Sequence, residues 1–103
     1  MNEQEMTIEI VKQLKKVFDP EIPVNIYDLG LIYGIDMDDD KNVNITMTLT
    51  APNCPMAETL VMMTETAVQR VKGVQKVNVD IVFDPPWDKE KMSDEAKLEL
   101  GLL

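Results

Sequence analysis

The sequence predicts an α+β fold, a two-layer sandwich in which helices cover a small three-stranded mixed sheet. Apolar residues recur at helical spacing around residues 10–18 and 57–71, and two other segments, 43–50 and 77–83, alternate with a period of two. Clusters of proline, glycine, asparagine and aspartate separate these stretches. With 103 residues, 45% of them hydrophobic, the chain is long enough for one such core and too short for two. It is read as a single domain over residues 1–103.

The elements follow in order. Ile10, Val11, Leu14, Val17 and Phe18 mark a first helix between charged residues, with Thr7 as its expected cap. Asp19, Pro20 and Pro23 stop it, because proline lacks an amide donor and biases its predecessor away from helix. A loop through "VNIYDLG" leads to a strand, "LIYGIDM", and the turn "DDDKN" returns the chain antiparallel as "VNITMTLT". There Val43, Ile45, Met47 and Leu49 form an apolar face, while Asn44, Thr46, Thr48 and Thr50 form a polar one, exposed or covered only by loops. Beyond "APNCP", Ala57, Leu60, Val61, Thr64, Ala67, Val68 and Val71 line one side of a second helix, which Gly73 terminates. "VQKVNVDIVF" is a third strand with Val77, Val79, Ile81 and Phe83 on one face, broken by "DPPWD". Ser93 caps a short last helix, "DEAKLEL", which ends at Gly101. Strand order cannot be read from this pattern.

Ten Lys and Arg against 19 Asp and Glu give a formal charge of -9, which repels phosphate backbones and anionic lipid. Nucleic acid is therefore not an expected partner. No apolar run approaches the roughly 20 residues that span a bilayer, and the start "MNEQEMTIEI" is no secretory signal. With one cysteine there is no internal disulfide, which suits a reducing compartment, and a cytoplasmic location is expected. Without histidine there is no imidazole base and no Cys/His nucleophilic pair. Any reactivity must come from Cys54, carboxylates or a partner. A thiol enzyme with Cys54 as nucleophile is the weakest reading, since it has neither a resolving cysteine nor a histidine base, so no enzyme is expected.

The one sulfur, Cys54, stands between Pro52 and Pro55 at a strand-to-helix junction. If Pro55 is the first helical residue, Cys54 caps the positive end of the helix, where a thiolate ligand is favoured. Glu58 one turn on opposes that effect. A free cysteine that only fills space is the competing reading. A single sulfur cannot complete an iron-sulfur cluster, which takes about four protein ligands, so others would come from a second copy, a small thiol or a client.

Asp19, Glu21 and Asp28 fall in one loop that could present carboxylates to a metal, although turn formation and capping are their commoner uses. Asp38, Asp39 and Asp40 read as a solvated turn, lacking the alternation and glycine of a calcium loop. Met62 and Met63 are packing or a soft contact surface, and Trp87 either plugs the core or anchors a partner.

Together "DPEIPVNIYDLGLIYGI", "TLTAPNCPM", "VFDPPWD" and "MSDEAKLELGL" resemble the SufT and PaaD group of small metal-sulfur cluster biosynthetic proteins, from Asp19 to Leu102. The resemblance implies an iron-sulfur cluster assembly domain and a role as accessory factor in iron-sulfur protein maturation. On it, Cys54 corresponds to the family's cysteine and is the expected transient ligand of iron or of a cluster shared with a second subunit or partner. Thr50 and Asn53 accompany it, and Asp19, Glu21 and Asp28 correspond to the acidic loop. The implied partners are an assembly scaffold or carrier and apo client proteins, and a homodimer would supply a second sulfur. A protein adaptor that binds no metal remains the alternative. The cysteine-rich extension of PaaD-type relatives is missing, so the shorter SufT-like pattern fits best.

Overall fold

A computed structural model describes residues 2–18, 22–50 and 57–102. Helix α1, Glu3–Leu14, starts earlier than Thr7: the Asn2 side chain accepts from the Glu5 amide at 2.8 Å and is the cap. Glu3 and Glu5 in the first turn complement the helix dipole there. Thr7 is instead mid-helix, its hydroxyl donating to the Glu3 carbonyl four residues back. The buried stripe is Met6, Ile10 and Leu14. Phe18, expected on that stripe, lies beyond the helix and is 47% exposed.

Strands β1, Ile32–Met37, and β2, Val43–Met47, form the expected antiparallel hairpin, with a bulge between Ile32 and Gly34. Asp38 builds the turn: its carboxylate accepts from the amides of Asp40 and Asn42 and from the Asn42 side chain. These bonds, those from Asn42 foremost, hold its pKa below the ordinary 3.8. Helix α2, Ala57–Gln69, then carries the chain back, so that β3, Val77–Ile81, pairs parallel to β2 over five residues. Parallel pairing needs such a crossover. The order is β1-β2-β3, with β2 central.

Val43, Ile45 and Met47 of β2 are buried, and Val77, Val79 and Ile81 of β3 pack against the same core. Helix α2 packs against β3 and α1 against α2, which makes the second layer. Each fully buried Ile or Leu, such as Ile10, Ile45 and Leu60, contributes about 2 kcal/mol, well above the helix-propensity differences among residues other than proline. Phe83 falls past the end of β3 and is exposed. A short 3-10 turn at Lys89–Lys91 precedes α3, Asp94–Glu99, which Ser93 caps through its hydroxyl to the Ala96 amide. Gly101 follows with φ +74°, in the left-handed region expected of a helix stop.

Candidate functional site

The site is built where the loop at 22–31 meets the exit of β2. Ile26 donates its amide to the Val17 carbonyl, and Ile26, Leu29 and Leu31 are fully buried, so the loop is anchored by its own apolar residues. Within it, Asn25 accepts from the Asp28 amide and donates its side-chain amide to the Asp28 carboxylate, both at 2.8 Å. The Asp28 carbonyl accepts from the Ser93 amide, and the Leu29 carbonyl from the Trp87 indole at 2.7 Å. Trp87 is thus a partly buried plug that locks this loop. Asp28 is half-buried and engaged in turn formation.

Gly30 completes the lock. Its φ is +81°, and a Cβ there would run into the carbonyl of Lys91. One residue on, the Leu31 carbonyl accepts from the Thr48 amide at 2.8 Å, and Ile32 pairs with Met47. Those bonds set the Asp28 loop directly beside the end of β2, the strand that runs into Thr50 and the cysteine segment.

Thr50 is half-buried, with no hydrogen bond from its hydroxyl among the described residues. Asn53, Cys54, Pro52 and Pro55 lie outside the described residues, as do Asp19 and Glu21, and with them the expected capping of α2 by Cys54. Of the six sequence-predicted site residues, Asp28 and Thr50 are therefore the two whose placement is described. Among the described residues there is no thiol, and no group of three acidic, cysteine or histidine side chains that could hold a metal ion. The single thiol of the sequence, Cys54, lies outside the described residues.

Thr48 was not singled out by its sequence. It is fully buried rather than exposed, and its Oγ1 has no hydrogen-bond partner among the described residues. Such an orphan costs about 1–3 kcal/mol. No sequence signal marks it, because its parity assigns it to the polar face of the strand.

Met62 and Met63 are 65% and 39% exposed, so they are surface rather than core. Beside Asp28 a cleft of about 280 Å³ opens between Phe18, Pro23 and Val24 on one side and Glu95, Ala96 and Glu99 of α3 on the other. No helix among the described residues is long and apolar enough to cross a membrane.

The chain is similar to known proteins in sequence and in fold. The family model described as "Iron-sulfur cluster assembly protein" matches residues 8–81. A protein of Porphyromonas gingivalis named Fe-S protein maturation auxiliary factor is 55% identical over 92% of this chain and 90% of its own. The Fe-S protein maturation auxiliary factor SufT of Staphylococcus aureus is 38% identical over 84% of this chain and 98% of its own. The crystal structure of a domain of unknown function from Bacillus anthracis superimposes with a TM-score of 0.90 at 38% identity, covering 97% of this chain and 95% of the other. By sequence and by fold, the chain belongs to the iron-sulfur cluster assembly protein family.

Proposed function

We propose that this protein is a cytoplasmic accessory factor in iron-sulfur protein maturation, which helps deliver or insert clusters into apo client proteins and uses Cys54 as a transient ligand. The observation that carries the reading is the likeness, over nearly the full length of both chains, to a protein named as an Fe-S protein maturation auxiliary factor. The chemistry of the chain supports it. One cysteine and no histidine suit a shared ligand better than a self-contained catalytic site.

In this reading the cluster is cargo. Cys54 contributes one thiolate, and the remaining ligands come from a scaffold, a client or a second copy in a homodimer. Thr50 and Asn53 are the sequence neighbours of Cys54, and Asp19 and Glu21 are proposed to assist from the acidic loop. Asp28 acts at one remove, since its bonds to Asn25 and Ser93 hold the loop against the end of β2. The 103 residues work as one unit, by contact and exchange rather than by turnover of a substrate.

Anaerobic reconstitution with iron and sulfide, comparing wild type with Cys54→Ser, tests the proposal. Bound iron, visible absorbance and transfer to an apo-ferredoxin are expected for wild type and are lost in the variant. Equal transfer by both would remove Cys54 as ligand. Absence of iron in both, with client maturation in cells intact for Cys54→Ser, would favour an adaptor that binds scaffold and client without metal.

A further inference from the structure

The parallel register of β3 on β2 decides which of its backbone groups are used. The Val43 amide donates to the Lys76 carbonyl and the Val82 amide to the Met47 carbonyl, at the two ends of the ladder. In a parallel pair the bonding residues of a strand alternate, so Asn78 and Asp80 face β2. The amides and carbonyls of Val77, Val79 and Ile81 point outward, where the described residues offer them no partner. Edge strands are commonly blunted by shortness, a charged side chain, a bulge, a proline or a lysine, and of these the five-residue β3 has only its length and Asp80. Val77–Ile81 has no bulge, proline or lysine, and its register is continuous.

The bare edge borders a cleft of about 420 Å³ between Val77 and Glu65, Thr66 and Gln69 of α2, with Arg70 just beyond the helix. On the opposite face of the sheet the cross-strand neighbours Asp36, Asn44, Asn78, Thr46 and Asp80 include two carboxylates, and Lys76, of the same parity as Asn78 and Asp80, is the cation that precedes the strand. We infer that the outer edge of β3 is a docking site for an extended segment of a partner protein. That segment adds a fourth strand, with apolar side chains on the α2 side and a Lys or Arg beside Asp80 on the other. Backbone bonding supplies affinity and the alternation supplies selectivity. A second copy is the poorer occupant, because self-pairing would bring together two chains of charge -9. The inference is independent of how cargo is held.

The probe is a seven-residue peptide of alternating valine and lysine with blocked ends, titrated into the isotope-labelled full chain and read amide by amide. Saturable shifts are expected, with exchange at Val77, Val79 and Ile81 slowed at least tenfold. Val79→Pro removes one outward donor without touching the bonds to β2, and should abolish that protection. Asp80→Lys, which leaves the backbone intact, should weaken the peptide at least tenfold and serves if the proline variant does not fold. A valine and glutamate peptide should not bind. The inference is overturned if no saturable change appears at these amides or if the glutamate peptide binds equally. Unchanged binding to folded Val79→Pro or Asp80→Lys also overturns it, as does protection that grows with protein concentration alone, which would assign the edge to a second copy.

Discussion

The two outer strands of this sheet are finished differently. β1 is bulged between Ile32 and Gly34, and its start is held by the segment that follows β3: Tyr33 donates to the Pro85 carbonyl, and the Lys91 ammonium lies 5.2 Å from the Tyr33 ring centroid. β3 has a regular register and an outward row of groups without partners among the described residues. A bulge twists a strand away from further pairing, whereas a straight edge is a template for it. One edge strand is bulged and pinned at its start by its own chain, and the other is straight and unpinned.

The sharpest way to break this contrast is hydrogen exchange along β3. The amides of Asn78, Asp80 and Val82 should exchange on the order of a thousandfold more slowly than those of Val77, Val79 and Ile81, since only the first set is tied into the ladder. Uniform protection along the strand would mean that the outer edge is already paired. The pinned start of β1 should be the more sensitive to substitution. Gly30→Ala forces a Cβ toward the Lys91 backbone at a positive φ and should cost about 3 kcal/mol in urea unfolding. A loss below about 1 kcal/mol would show that the Lys91 turn yields easily.

A smaller effect of opposite sign is expected at Thr48. Thr48→Val keeps the shape and removes the orphan hydroxyl, which should raise stability by about 1 kcal/mol and the midpoint by a few degrees. If client maturation falls while stability rises, the hydroxyl serves the site and not the fold. The smallest effect belongs to Asp38, at the far end of the hairpin. Its pKa is depressed in the folded chain, so its stabilisation is complete above the ordinary 3.8 and is lost as pH falls through the lower folded value. Asp38→Asn should therefore narrow its stability gap to wild type below that pH, as followed by thermal melts across the acid range.

Much of this architecture was legible in the residues because local periodicity coincides with burial. The alternation of Val43, Ile45 and Met47, the stripe Leu60, Thr64, Ala67 and Val68, and the Ser93 cap all reappear in three dimensions. What escaped is what depends on distant partners. Asn2 outcompetes Thr7 as cap because Met6 is buried, which requires the helix to start a turn earlier. Thr48 is buried in spite of its parity, just past the end of the strand. The parallel pairing of β2 with β3 is set by the crossover through α2, which no single segment encodes. At the site, Asp28 was legible as a residue of interest, but its ties to Asn25 and Ser93 were not, since one partner lies 65 positions away.

The buckle between Gly30 and Lys91 also bears on how fragments of this protein would behave. The family match closes at residue 81, yet the donors that satisfy Asp28 and Leu29 come from Ser93 and Trp87, and Met92 and Ala96 fill part of the core. A fragment cut at that boundary would keep every strand and still strand two carbonyls and open a void beneath the loop. Transplanting the iron-sulfur assembly unit into a fusion or a chimera therefore requires carrying the stretch through Ala96, even though that stretch adds no strand to the sheet.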